Sequence, residues 1–208
     1  MIKVSALVSL YNSREFIEGC LQDLVDQTLY ARGELEIVII DSNSPQDEGE
    51  IVKRFQQRYP NIKYLRTPNR ETLYQAWNRG IALASGYYLT NANSDDRHSR
   101  DCLEVLSLEL DSNSGIDLVY ADVFESSKPN QTFAENPGSR RYTYGAFFAP
   151  MSLLKYQFGC QPMWKKSVHT VIGGFSQTYK AAGDWDFCLR FCLAGLRARN
   201  IPRVLGAF

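Results

Sequence analysis

Short apolar runs alternate with amphipathic stretches along the first 124 residues of the chain. The apolar runs predict strands at residues 4–10, 35–40, 62–65, 87–90 and 116–124. Between them, apolar residues recur every three or four positions, which predicts helices from residue 13 to about residue 27 and at 46–58, 73–84 and 102–110. Because alternating strands and helices form βαβ units, the pattern predicts an α/β fold built on a parallel sheet flanked by helices.

The alternation breaks down between residues 125 and 159. Residues 126–131 and 136–139 are rich in Ser, Pro, Asn and Gly, which is typical of loops. The last clear helical pattern covers residues 181–195. Since the chain contains neither an internal repeat nor a stretch that reads as a linker, we expect a single domain over residues 1–208.

The composition of the chain argues against several classes of protein. The 23 Lys and Arg balance 23 Asp and Glu, so the net charge is zero, and this argues against a nucleic-acid partner. No apolar run approaches the ~20 residues of a membrane span, and the amino-terminal segment lacks the pattern of a signal peptide. The five cysteines include no C-x-x-C pair, which favours free thiols in a reducing compartment. We therefore predict a cytoplasmic protein without a transmembrane segment, and leave open a peripheral association with the inner face of the membrane.

Acidic residues follow two of the predicted strands. The segment 93–96 reads Asn-Ser-Asp-Asp, and its adjacent carboxylates could share a hard divalent cation or merely cap the next helix. Asp41 ends the second strand and could accept hydrogen bonds from a ribose or a base, or else form an Asx turn. Ligands bind at the carboxyl ends of parallel strands, so both positions suit a binding site.

A third acidic group begins the last predicted helix. Asp184 and Asp186 are two positions apart and so point in different directions on a helix. Either could act as a general base, but acidic residues are also common at helix amino termini for electrostatic reasons alone. The chain has no G-x-G-x-x-G, P-loop or G-x-S-x-G motif, which disfavours dinucleotide oxidoreductases, P-loop enzymes and serine hydrolases.

Several short motifs occur in a characteristic order. They are Tyr-Asn at 11–12, Gln-Thr at 27–28, Asp41 after the second strand, Asn-Arg-Gly-Ile at 78–81, Asn-Ser-Asp-Asp at 93–96, Gly-Gly-Phe at 173–175 and Gly-Asp-Trp-Asp at 183–186. As an ordered set, these motifs resemble those of the family 2 inverting glycosyltransferases. The resemblance implies a single GT-A type domain with a mostly parallel, Rossmann-like sheet and an irregular insertion on the acceptor side. Residues 1–124 would bind the nucleotide-sugar, and residues 125–208 would bind the acceptor and hold the catalytic base.

The resemblance also implies a mechanism, in which Asp184 takes the proton from an acceptor hydroxyl during a single displacement at the anomeric carbon. Asp95 and Asp96 would ligate Mn²⁺ or Mg²⁺, and the donor would be a nucleoside-diphosphate sugar, with uridine as the expected nucleoside. The donor-binding residues implied are Leu10, Tyr11, Asn12, Asp41, Arg70, Asn78, Asn93, Ser94 and Asp95. Those implied for the acceptor, a saccharide or another hydroxyl compound, or for the diphosphate, are Gln161, Trp164, Lys165 and Asp186. A buried core position remains an equal alternative for Trp164.

Two residues depart from the family pattern. Asn93 replaces the first acid of the metal motif, and Gly183 replaces the acid before the catalytic Asp. These changes keep open a second function, a non-catalytic protein that binds nucleotide-sugars. Binding of single-stranded nucleic acid ranks third.

The zero net charge conceals a division along the chain. Residues 126–183 hold seven basic residues and one acid, together with ten of the 26 aromatic residues. We therefore expect an acidic α/β scaffold suited to a cation, beside a basic, aromatic segment that either faces phosphates and sugars or is merely solvated.

Overall fold

The computed structural model describes residues 1–136, 138 and 140–208, so part of the predicted loop 136–139 lies outside the described residues. The first half follows the predicted alternation closely. Its strands are β1 (Val4–Leu10), β2 (Leu35–Asp41), β3 (Ile62–Arg66) and β4 (Tyr88–Asn91). Its helices are α1 (Ile17–Val25), a single turn α2 (Thr28–Ala31), α3 (Glu48–Gln56) and α4 (Leu73–Leu83).

The second half contains more strands than the sequence pattern indicated. Its elements are β5 (Arg97–His98), α5 (Cys102–Ser112), β6 (Leu118–Glu125), β7 (Arg140–Tyr142), β8 (Met163–Lys165), α6 (Val168–Ile172), α7 (Gly183–Leu193) and β9 (Ala198–Ala207). Short 3₁₀ turns at Phe133–Glu135 and Ala149–Leu153 lie in the irregular region.

The strands of the described chain join in one sheet with the order β3-β2-β1-β4-β8-β6-β9-β5, and β7 pairs with β6. Neighbours from β3 to β4 are parallel, β8 is antiparallel to both β4 and β6, and β9 is parallel to β6. Six strands therefore run in one direction, and the sheet is mostly parallel, as expected. The sequence pattern had not predicted that β8 runs against its neighbours in the middle of this sheet.

Helices cover both faces of the sheet. Val4, Ala6, Val8 and Leu10 of β1 pack in the cluster that includes α1, α3 and α5, whereas Leu7 faces the cluster formed with α4 and α7. Because successive side chains of a strand point to opposite faces, β1 is buried on both sides. The carboxyl ends of β1, β2 and β4 remain at one edge of the sheet, where the acidic segments predicted to bind ligands are found.

Candidate active site

Three cavities lie along this carboxyl edge. The Tyr11 cavity, of about 620 Å³, is lined by Ser9, Tyr11, Ser13, Ser42, Arg70, Glu71, Thr72, Leu73, Gln75 and Lys180. The Asp96 cavity, of about 430 Å³, lies between the acidic segment 93–97 and the segment 126–131. The Asp184 cavity, of about 280 Å³, is lined by Trp77, Asn91, Asn93, Tyr144, Tyr156, Gly159, Cys160, Asp184 and Phe208.

The Tyr11 cavity joins two of the predicted site residues. The Arg70 guanidinium carbon lies 4.0 Å from the centre of the Tyr11 ring, a cation–π contact. The buried hydroxyl of Ser42, beside them, has no hydrogen-bond partner among the described residues. Lys180 adds a positive charge from the segment before α7, and sequence reasoning had not assigned it to this site. The cavity thus combines a ring, two cations and an unused hydroxyl.

A buried carboxylate supports the loops beneath this cavity. Oε1 of Glu48 accepts hydrogen bonds from the Ser13 backbone N–H at 2.7 Å and from the Ser44 hydroxyl at 2.8 Å. The same Ser44 oxygen accepts from the Asn12 backbone N–H at 3.0 Å. Glu48 is fully buried, although in the sequence it resembles an ordinary acidic residue near the start of a helix. Leu10, also buried, accepts the Ser42 backbone N–H at 2.9 Å through its carbonyl.

Asp41 is buried at the end of β2, and both of its carboxylate oxygens have partners. Oδ1 accepts the Ser44 backbone N–H at 2.8 Å, three residues on, whereas an Asx turn would use the N–H two residues on. Oδ2 accepts from the Tyr64 hydroxyl at 2.6 Å and from Arg66 at 3.0 Å. Its hydrogen bonds therefore hold the loop that carries Ser42, and its direct contact with a nucleotide stays a prediction.

The acidic segment places two carboxylates side by side. Asp95 is exposed and Asp96 is buried, and Nδ2 of Asn93 donates to Oδ2 of Asp96 at 3.0 Å. Burial, together with the neighbouring charge of Asp95, raises the pKa of Asp96 to about 8, against the lowering effect of the Asn93 hydrogen bond. Ser94, which lies between Asn93 and Asp95 in the sequence, is also buried. Within the described part of the chain, no three His, Cys, Asp or Glu residues group as a metal site.

Asp184 lies at the start of α7, half-buried in the wall of its cavity. Its Oδ1 accepts hydrogen bonds from the Trp185 backbone N–H at 2.9 Å and from the Tyr74 hydroxyl at 3.3 Å. Across the described residues, no hydrogen bond to Oδ2 is found. One oxygen is thus held while the other stays available to a ligand.

Two buried polar atoms in the same cavity lack partners. Nε1 of Trp77 and Oδ1 of Asn91 make no hydrogen bond within the described chain, although both side chains are at least nine-tenths buried. Leaving such atoms unpaired costs roughly 1–3 kcal/mol each, so their presence favours a polar ligand in this space. Neither residue had been predicted: Trp77 resembles a core position in the sequence, and Asn91 is an uncharged residue of the fourth strand.

The acidic segment and Asp184 line adjoining cavities. The Asp96 cavity and the Asp184 cavity share Asn93, Cys160 and Phe208 as lining residues. Asn93 lies two residues after the end of β4 in the first half of the chain, whereas Asp184 lies on α7 in the second. The fold therefore brings together the two groups that the sequence assigned to metal binding and to proton transfer.

Four of the predicted residues lie elsewhere or bind the protein itself. Trp164 is a core residue whose Nε1 donates to His169 at 2.9 Å, and Lys165 binds the Ser114 carbonyl at 2.7 Å. Trp164 thus takes the buried core position that was its equal alternative. Lys165 differs from the expected position because β8 is antiparallel to β4, so Lys165 pairs with Tyr88 at the opposite edge of the sheet.

Asn78 and Asp186 also have protein partners. The Asn78 amide bonds to the backbone of Phe175, and Asp186 pairs with Arg190 at 2.7 Å. Gln161 does lie near the site, buried, where its Nε2 donates to the Arg97 carbonyl at 3.0 Å.

The sequence model of a known family, described as Glycosyl transferase family 2, matches residues 5–182. The chain belongs to this family. Among its relatives is the uncharacterized glycosyltransferase EpsJ of Bacillus subtilis (strain 168), which is 31% identical over 130 residues, or 62% of this chain and 36% of EpsJ. The PGL/p-HBAD biosynthesis glycosyltransferase Rv2957 of Mycobacterium tuberculosis is 26% identical over 192 residues, or 89% of this chain and 68% of Rv2957. The family 2 chain thus spans well under half the length of EpsJ.

Solved structures agree on the fold. S. aureus TarS 1-349 in complex with UDP-GlcNAc aligns with a TM-score of 0.81 at 17% identity, over 100% of this chain and 58% of that chain. The mannosyltransferase PcManGT from Pyrobaculum calidifontis, in complex with GDP-Man and Mn²⁺, aligns with a TM-score of 0.77 at 21% identity, over 99% and 56%. The family 2 chain has the GT-A fold of these glycosyltransferases, as its motifs had led us to expect.

Among the described residues, no helix is both long enough and apolar enough to cross a bilayer.

Proposed function

We propose that this chain is the catalytic domain of an inverting glycosyltransferase, which moves a sugar from a nucleoside-diphosphate donor to a hydroxyl of a saccharide or another acceptor. The observation that carries the proposal is the adjacency of the Asp96 and Asp184 cavities, which share Asn93, Cys160 and Phe208. A displacement needs the leaving diphosphate and the incoming hydroxyl on opposite sides of one sugar. The two cavities adjoin, and their carboxylates have different surroundings. This suits one cavity to the leaving diphosphate and the other to the incoming hydroxyl.

The nucleoside would occupy the Tyr11 cavity. Tyr11 and Arg70 offer a ring and a planar cation on which a base can stack, and the Ser42 hydroxyl is free to bond to it. Lys180 and Arg70 lie where they can meet the negative charge of a nucleotide. Leu10, Asn12 and Asp41 would act by holding the loops of this cavity. TarS, a structural neighbour, has been solved with UDP and with UDP-GlcNAc, which supports a uridine donor.

A divalent cation would bind Asp95 and Asp96. These two carboxylates suit Mg²⁺ or Mn²⁺, which bind one or two carboxylates together with substrate phosphates. Burial and the neighbouring Asp95 raise the pKa of Asp96, and a bound cation would oppose both effects by stabilising the ionised carboxylate. Bound there, the ion would neutralise the charge of the departing diphosphate.

Asp184 would act as the general base. Its Oδ1 is fixed by Tyr74 and the Trp185 N–H, so its Oδ2 can accept the proton of an acceptor hydroxyl as that oxygen attacks the anomeric carbon. The donor sugar would lie in the Asp184 cavity, where Trp77 and Asn91 offer unused polar atoms to its hydroxyl or amide groups. The attack displaces the diphosphate from the opposite face and inverts the anomeric centre.

The test compares the wild type with Asp184→Asn. UDP and GDP sugars are screened with Mn²⁺ for thermal stabilisation, and the donor that binds is followed by release of the nucleoside diphosphate with and without acceptor saccharides. We expect Asp184→Asn to bind the donor as the wild type does and to lose turnover by about a thousandfold or more, since general base catalysis contributes about 10²–10⁴-fold.

Asp111→Asn is the matched control, because Asp111 pairs with Lys3 far from the carboxyl edge and should not affect turnover. Turnover retained by Asp184→Asn would refute Asp184 as the base. Donor binding by the wild type without turnover on any acceptor would instead favour the non-catalytic nucleotide-sugar binding protein, which the Asn93 and Gly183 departures leave open.

A further inference from the structure

Gly183 and Tyr74 fit together beside Asp184. A Cβ atom at Gly183 would lie 2.7 Å from Cε2 of Tyr74 and 2.8 Å from two further ring atoms, distances that van der Waals contact does not permit. Any larger residue at position 183 would therefore push the ring away. The ring itself is buried and packs against Trp77 and Phe175 at centroid distances of 5.6 and 6.2 Å. Core packing thus holds one side of the Tyr74 ring, and the other side fits closely against Gly183 because glycine has no side chain.

From this position the Tyr74 hydroxyl reaches Asp184. It donates to Oδ1 at 3.3 Å, on the same oxygen that accepts the Trp185 N–H. We infer that Tyr74 is a positioning residue for the base: its hydroxyl fixes one carboxylate oxygen so that the other faces the substrate, and Gly183 exists to admit its ring. This inference rests on the proposed role of Asp184 and goes beyond it, since it explains why the acid expected at position 183 is absent.

The surroundings of Asp184 leave this hydrogen bond without a charged competitor. Over residues 1–136, 138 and 140–208, no Lys or Arg forms an ion pair with Asp184. The titratable groups that share its cavity are Tyr144, Tyr156 and Cys160, and burial raises the pKa of all three. They are therefore neutral at neutral pH. Burial and the charge of Asp184 also raise the pKa of Tyr74, which keeps its proton available for donation.

The conservative substitution Tyr74→Phe tests the inference, since it keeps the ring on Gly183 and removes only the hydroxyl. A hydrogen-bond donor stabilises the ionised form of the carboxylate that accepts it, so loss of the Tyr74 hydroxyl should make Asp184 harder to ionise. The first readout is a ¹³C NMR titration of the aspartate carboxyl groups, in which the Asp184 signal is the one lost in Asp184→Asn. This measurement does not depend on activity.

The second readout is catalysis. We expect Tyr74→Phe to lower kcat about tenfold, to move the acid limb of the pH profile to higher pH and to change the KM for the donor less than about twofold. Tyr88→Phe is the matched control, because the buried Tyr88 hydroxyl donates to Asp111 at 2.8 Å, a tyrosine–aspartate hydrogen bond outside the site. It should leave the Asp184 titration and the pH profile as in the wild type.

A double-mutant cycle tests the part assigned to Gly183. Gly183→Ala should reproduce the titration shift of Tyr74→Phe by displacing the ring, and adding it to Tyr74→Phe should give little further shift. An unchanged Asp184 titration in Tyr74→Phe, or fully additive shifts in the cycle, would overturn the inference. If Asp184→Asn retains turnover while the titration shifts, the proposed base is wrong but the hydrogen bond stands. If Asp184→Asn is inactive and the titration does not shift, only this inference fails.

Discussion

The side-chain amide of Asn78 binds the backbone of Phe175 through both of its polar atoms. Nδ2 donates to the Phe175 carbonyl and Oδ1 accepts the Phe175 N–H, each at 2.8 Å. This pair of hydrogen bonds ties α4, which carries Tyr74, to the segment before α7, which carries Asp184. Asn78 was expected to touch the donor, and the structure instead gives it the geometry of a tether between two walls of the site.

Asn78→Ala should therefore act first on stability. Removing both hydrogen bonds and leaving the Phe175 groups unpaired should lower the free energy of unfolding by about 2–3 kcal/mol. Chemical denaturation measures this, and Asn113→Ala, directly after α5 and away from the site, serves as the comparison. A drop in donor affinity with unchanged stability would show that Asn78 binds the donor after all.

Asn93→Asp should strengthen binding of the metal. It adds a carboxylate beside Asp95 and Asp96 and removes the amide that donates to Asp96, so the apo protein should lose stability through repulsion. Calorimetric titration with Mn²⁺ should show about tenfold tighter binding. Gln57→Glu adds the same charge at an exposed position and should leave both quantities unchanged. Equal Mn²⁺ affinity in Asn93→Asp and the wild type would argue against a metal at this segment.

Asn91→Leu should weaken binding of the donor sugar without lowering the stability of the apo protein. Because Oδ1 of Asn91 is buried without a partner, its replacement by an apolar group of similar size should maintain or raise the melting temperature of the apo protein. The thermal shift on adding the nucleotide-sugar should become smaller, whereas the shift with the nucleoside diphosphate alone should persist. A lower apo melting temperature with an undiminished sugar-dependent shift would contradict this role.

His169 should make the folded protein less stable as the pH becomes acidic. Its Nε2 accepts from Trp164 at 2.9 Å and its Nδ1 lies 2.9 Å from the Gly173 carbonyl, so the ring is held neutral. Burial, with Arg190 and Lys166 nearby, lowers its pKa from 6.5. As the pH falls below about 6.5, the unfolded chain gains a proton that the folded chain does not, and stability is lost by at most about 1.4 kcal/mol per pH unit.

His169→Gln keeps an acceptor for Trp164 without this titration. It should be less stable than the wild type at pH 7.5, and the difference in melting temperature should narrow as the pH falls to 5. The other ionisable groups are common to both proteins, so they cancel in the comparison. A difference that stays constant across this range would show that His169 does not titrate as expected.

The sequence was most informative where strands are buried on both faces. Apolar runs placed β1, β2 and β3 within about one residue of their observed bounds, because such strands need no partner information to be recognised. The ten residues of β9 escaped notice, since they include Pro202 and exposed arginines and the pairing with β6 shifts register at Asp122. The direction of β8 could not be read from three residues, and the positions expected for Trp164 and Lys165 depended on it.

The site was predictable to a similar extent. Asp184, Asp95 and Asp96 could be identified because carboxylates in short motifs are recognisable from the sequence alone. Tyr74, Trp77 and Asn91 did not, since their roles depend on what lies opposite them in space. Gly183, an apparent defect in the sequence, is explained by the ring of Tyr74, 109 positions earlier in the chain.

The pairing of β5 with β9 has a consequence for biosynthesis. Arg97 and His98 directly follow the acidic segment, and their strand partners are Ala207 and Gly206. On the ribosome, β1, β2 and β4 can pair long before those partners have emerged from the exit tunnel. The nascent chain can therefore assemble the strands around the Tyr11 cavity early, but the segment that holds Asp95 and Asp96 acquires its neighbouring strand only after Gly206 and Ala207 have emerged.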